Sequence, residues 1–239
     1  LRNLVVEGTL TVPAGGFTNQ NSIELRGLPA RITGADPLAF TGPLAGEGSV
    51  QVSLAVLAGG SVAVGAGQEL AFTQTVTNAP GGQINGINGI LDFNGGLNNL
   101  GALNLINSTV NGNVTNNGTV SLAGTNTFTG IVSGAANFSG AGTARFSGAY
   151  SPGNSPAAVS FNGNVAFSPA ATLHLELGGT QAATQYDQLK VRDTATFDGT
   201  LDVVLINGFV PAAGQLFHLF QVAHRTGSFT TVHLPALPD

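Results

Sequence analysis

The chain has no cysteine, no methionine and no tryptophan. Without cysteine there are no disulfides, no thiolate metal ligands and no cysteine nucleophile. That economy fits many exported bacterial β-proteins. Methionine is missing even at position 1, so Leu1 is expected to be a processed or excerpted end, with any signal peptide lying before it. Charge is scarce as well: 7 basic and 12 acidic side chains in 239 residues, 8% where about 25% is usual. Lys190 is the single lysine, the arginines are scattered and the net charge is −5. Nothing resembles the basic stripe that a phosphate backbone requires, so nucleic acid is not an expected partner. Long apolar runs are absent too. Val203-Val204-Leu205-Ile206 falls far short of the roughly 20 residues of a membrane helix, and no membrane insertion of this stretch is expected.

Between Asp92 and Arg145 there is no Lys, Arg, Asp or Glu at all. A disordered segment would be charge-rich, whereas this one carries β-branched residues and phenylalanine. Its surface must be covered by Asn, Thr, Ser, Gln and Gly. A neutral polar surface of that kind suits stacking and self-association better than it suits a charge-repelled monomer.

Helical periodicity is also missing, because 35 glycines and 11 prolines are spread along the chain and no window holds an i, i+3, i+4, i+7 pattern for three turns. Alternation is present instead. Thr9-Leu10-Thr11-Val12, Ser49-Val50-Gln51-Val52-Ser53-Leu54 and Thr172-Leu173-His174-Leu175-Glu176-Leu177 each send apolar side chains to one face. A pattern of glycine, a small residue, an aliphatic residue, any residue and an apolar one begins at Gly8, Gly48, Gly60, Gly101, Gly118 and Gly199. Looser copies begin at Gly142 and Gly163. The offsets imply an imperfect period near 20 residues, one coil of a parallel β-solenoid.

A β-sandwich also shows short strands with frequent turns. The Asn-Gly pairs Asn85-Gly86, Asn88-Gly89, Asn111-Gly112, Asn117-Gly118 and Asn162-Gly163 favour the solenoid, since they allow left-handed corners and Asn-on-Asn ladders. Past about residue 168 asparagine thins and charge returns. The expected organisation is therefore solenoid rungs over 1–149, then terminal rungs and a C-terminal β subdomain over 150–239, either a cap or a small sandwich.

Ser151-Pro152-Gly153, Leu177-Gly178-Gly179, Tyr186-Asp187-Gln188-Leu189, Gly199-Thr200-Leu201, Gly227-Ser228-Phe229 and Leu234-Pro235 follow one another in order. Together they resemble the C-terminal passenger region of bacterial autotransporter-type and related secreted β-helix proteins, over about residues 150–237. Ala157 departs from the pattern, standing where the family commonly has a second corner glycine. The resemblance implies a right-handed parallel β-helix, export by a bacterium and an extracellular or cell-surface place. It does not imply an enzyme.

Within it, Ser151, Pro152, Gly153, Asn154, Ser155 and Pro156 read as a rigid structural corner, since proline fixes φ and Gly-Asn permits positive φ. Ser151 and Ser155 have no triad partners. His174 and Glu176 share a strand face, but alternation turns both to solvent and no third metal ligand is identifiable. His224-Arg225 reads as a loop pair. Asp187, Asp193, Asp198 and Asp202 lie close in sequence, as the carboxylates of a polysaccharide-cleaving β-helix would. Asp198-Gly199 nevertheless reads as a turn, Asp202 as the polar partner between two inward residues, and Asp187 as part of a strand edge. Sequons start at Asn107, Asn113, Asn117 and Asn137 and read mainly as products of composition.

The leading expectation is a structural protein without cofactor, partnered by copies of itself. Its terminal strands would stack end to end through Leu4, Val5, Val6, Leu10 and Val12 at one end and Phe229, Val232 and Leu234 at the other. The alternative is a surface adhesin or carbohydrate-binding passenger, with cell-surface glycans as partners. A β-helical lyase or hydrolase comes third.

Overall fold

A computed structural model describes residues 3–153 and 156–236. Among these residues there are 29 strands and no helix. The strands form three parallel ladders that run side by side, so that the chain climbs as a β-solenoid with three sides. The first side stacks Asn3–Val6, Ser22–Leu25, Pro43–Gly46, Ser61–Val64, Gln83–Ile87, Ala102–Ile106, Thr119–Ala123, Phe138–Ser139 and Ala158–Phe161. The leading halves of Gln188–Phe197 and Phe220–Gly227 complete it, giving eleven rungs. The second side begins with Thr9–Thr11 and the third with Phe17–Asn19, and both climb in the same way. Rungs about 4.8 Å apart make a rod about 50 Å tall.

The repeat read in the sequence is real, but its offsets mix two kinds of step. Gly101 and Gly118 precede strands that lie one above the other on the first side. Gly142 and Gly163 do the same on the second. The step from Gly118 to Gly142 changes side, because a small residue after glycine serves any corner where a strand begins. True coils run from 16 residues, between Leu38 and Leu54, to 23, between Asn137 and Ser160. Above that they lengthen to between 28 residues, from His174 to Asp202, and 31, from Leu189 to Phe220. The added length sits in two excursions, residues 178–187 and 206–219, which leave and rejoin the same coil path.

Parallel ladders cross the expected boundary at residue 150: Val132 pairs with Tyr150, Phe138 with Phe161 and Ala149 with Thr172. The C-terminal region therefore continues the stack as terminal rungs. No antiparallel ladder of a small sandwich forms among the described residues, where antiparallel contacts are confined to single bridges.

Alternation drives the core. Residues at every second position turn inward and fill the interior with Leu, Val, Ile and Phe. Like stacks on like along the rod: Phe128, Phe146, Phe167 and Phe197 sit in four successive rungs with ring centroids 5.6, 5.6 and 6.1 Å apart. Phe138 and Phe161 stack at 4.4 Å. Each such pair adds about 0.5–1.5 kcal/mol beyond its buried area.

Asparagine enters that interior too. Asn78, Asn99 and Asn116 are buried one above the other. Asn78 Nδ2 donates to Asn99 Oδ1 and Asn99 Nδ2 to Asn116 Oδ1, each at 2.7 Å. The next position in this column is Gly134 (φ 106), whose Cβ, if it had one, would strike the carbonyl oxygen of Asn116. Of the asparagines expected at left-handed corners, Asn88 has positive φ (54°), whereas Asn85 lies mid-strand and Asn104 Nδ2 donates to its Oδ1 on the outer surface.

Candidate functional site

Among the described residues, apolar positions are left uncovered at the first and the last rung. Leu4 is 45% exposed although it pairs with the buried Ile23, because no rung lies beneath it among the described residues. Val5 is exposed and Leu10 partly buried. Val6 and Val12, expected among the edge residues, are instead core residues covered by the second coil. At the other end Val232 is 52% and Leu234 69% exposed, while Phe229 is partly buried against the core. A cavity of about 430 Å³ opens there, lined by Phe197, Phe220, Val222, Phe229 and Val232, with Arg225 beside them. The terminal rungs thus present apolar surface and unpaired strand edges together.

The expected corner begins later than the sequence implies. Ser151 and Pro152 close the strand Ala149–Pro152, which buries Tyr150 and Pro152. The turn starts at Gly153 (φ 89), which exchanges two backbone hydrogen bonds with Gly134. Asn154 and Ser155 lie outside the described residues, and Pro156 follows as a bend. The Tyr150 hydroxyl is fully buried without a hydrogen-bond partner among the described residues, and burial pushes its pKa well above the usual value.

Asp187 is buried and fastens this corner to the rung beside it. Its carboxylate accepts hydrogen bonds from the backbone N–H of Ala157 at 2.7 Å and of Glu176 at 2.8 Å. Burial raises its pKa to about 6, against the lowering effect of those two donors. Tyr186, next to it, packs edge-on to Phe217 at 5.5 Å. The Tyr-Asp-Gln-Leu element therefore anchors the 178–187 excursion, with Leu189 returning to the core. The other acids take separate places. Asp198 accepts from Gly199 N and Thr230 Oγ1, as a turn residue does, and Asp193 stays at the surface.

Asp202 has partners that sequence spacing did not reveal. His174, Asp202 and His233 are in register on three successive rungs of the third side. His174 Nδ1 lies 2.9 Å from Asp202 Oδ2, and His233 Nδ1 lies 3.9 Å from Asp202 Oδ1. No three of the described His, Asp and Glu side chains are grouped to hold a metal ion. His224 and Arg225 are not a loop pair: they belong to the strand Phe220–Gly227, opposite Thr194 and Ala195.

The four sequon asparagines turn out to be braces between coils. Asn107, Asn113 and Asn117 stand at the three corners of one coil, and each Oδ1 accepts a backbone N–H 18 residues ahead, from Thr125, Ile131 and Ala135. Asn137 accepts from Ser160 in the same way. Corner amides miss the ladder, and a short side-chain acceptor supplies their partner.

No family model matches the chain, and neither does any curated protein. Among the described residues no helix is long and apolar enough to cross a membrane.

Proposed function

We propose that this chain is a structural β-solenoid that assembles end to end into an extracellular fibre, sheath or surface layer. The observation that carries the reading is the apolar surface left at both ends of the rod: Leu4 at the first rung, Val232 and Leu234 at the last. A terminal rung offers unpaired N–H and C=O groups in the geometry of the rung it lacks, so a second copy can add its own first rung there. Joining the last rung of one copy to the first of another is a heterologous contact, and such contacts propagate into filaments. The uncharged middle of the rod supports the same reading, since little electrostatic repulsion opposes lateral or axial packing.

Export and a cell-surface place are part of this proposal. They rest on the lack of cysteine and on the resemblance of residues 150–237 to autotransporter-type passenger regions. Sedimentation velocity over a range of concentrations tests the assembly. The wild-type chain forms a growing series of oligomers, and Leu4→Lys or Val232→Lys stops the series at the monomer. A series that persists unchanged in both variants would remove the ends from the mechanism.

A further inference from the structure

A second surface of different chemistry lies on the outward face of the first side, near the top of the rod. Ser160, Lys190 and Gln221 form one outward column, in register over three rungs. Arg192 stands two positions beyond Lys190 on the same strand. With Asn162 and the apolar floor around Val222 they line a groove of about 440 Å³. No carboxylate lines it. Lys190 and Arg192 enter none of the ion pairs found among the described residues. In a chain with 7 basic side chains and a net charge of −5, two uncompensated cations are gathered in one open groove.

We propose that this groove binds a linear acidic polysaccharide, one whose sugars carry carboxylate or sulfate groups. Rungs rise by about 4.8 Å and alternate residues of a strand lie about 6.6 Å apart, so the two cations sit within reach of acidic groups on one or neighbouring sugars. Ser160, Asn162 and Gln221 offer hydroxyl and amide groups for sugar hydroxyls, and the Val222 floor suits the C–H face of a ring. Charge-assisted bonds from Lys and Arg supply the strongest contacts. Two cations are too few for the multi-phosphate contacts that hold duplex DNA. The groove faces outward on the last three rungs and shares Val222 with the end cavity, so the test varies Lys190 and Arg192, one rung below the end, rather than the residues proposed for end-to-end assembly.

Calorimetric titration with polygalacturonate is the test, with neutral dextran and duplex DNA as comparisons. The expected result is binding of polygalacturonate alone, weakening with salt at a log–log slope of about −2, in line with two released counterions. The Lys190→Gln/Arg192→Gln double variant loses about tenfold or more in affinity. Arg31→Gln, on the second side near the other end, leaves it unchanged. Thermal melting of each variant checks that the fold is kept. No binding by the wild-type chain, equal binding by the double variant, or equal binding of DNA would each overturn the proposal.

Discussion

Asn99 donates its side-chain amide to Asn116 one rung above, at 2.7 Å, inside a core otherwise built from aliphatic and aromatic groups. It accepts from Asn78 below through the same side chain. The ladder ends on both sides without a partner: Asn78 Oδ1 and Asn116 Nδ2 have none among the described residues. Asn99 is thus the one member whose loss strands two further groups. Leu at position 99 would leave Asn78 Nδ2 with only the backbone oxygen of Ala102, and Asn116 Oδ1 unpaired. Since each stranded buried group costs about 1–3 kcal/mol, Asn99→Leu is expected to destabilise by about 2–4 kcal/mol. Urea titration checks this against Asn104→Ala, in the outer Asn85–Asn104 pair, which should cost less than about 1 kcal/mol.

Tyr150 presents the opposite case. Its ring stacks on Phe146 at 4.4 Å, while its hydroxyl is buried without a partner among the described residues. Phenylalanine keeps the ring and removes the desolvated group. Tyr150→Phe is expected to be neutral or stabilising by about 1–2 kcal/mol in the same titration. A loss of more than about 1 kcal/mol would mean that the hydroxyl is bonded after all.

Asp187 gives the molecule a signed pH response. Burial raises its pKa in the fold to about 6 from the ordinary value of 3.8, so the folded state binds its proton more readily than the unfolded chain does. The contribution from this group is most favourable below about pH 4, declines as pH rises towards 6 and is flat above that. Its full size is on the order of 3 kcal/mol. Melting curves at several pH values, for the wild-type chain and Asp187→Asn, isolate the effect. The difference between the two should shift between pH 4 and 6, and a constant difference would show that Asp187 does not titrate there.

Alternation and the glycine and asparagine corners made the solenoid legible in the sequence, because inward-facing Leu, Val and Phe must repeat at every second position whichever side they line. The side of the rod was not legible, since the glycine pattern marks the entry to any strand and Gly118 and Gly142 open different sides. Pairings between coils were equally hidden. His174, Asp202 and His233 are 28 and 31 positions apart in sequence and meet only because the 178–187 and 206–219 excursions keep them in register. The sequons read as accidents of composition for the same reason: that Asn113 braces Ile131 depends on an 18-residue coil, which no local pattern specifies. Of the residues read as edges, Leu4, Val232 and Leu234 lie exposed. Val6 and Val12 are buried instead, although Leu4, on the same inward row as Val6, is not.

The central claim is that copies of this rod continue one another's ladder. Electron microscopy of the concentrated wild-type chain tests it most directly, because a continuous stack fixes the axial repeat. Eleven rungs at about 4.8 Å predict unbranched filaments with a subunit repeat of about 50 Å along the axis and a cross-β reflection near 4.8 Å. Monodisperse single rods at every concentration, or filaments whose repeat matches the width of the rod rather than its height, would contradict it.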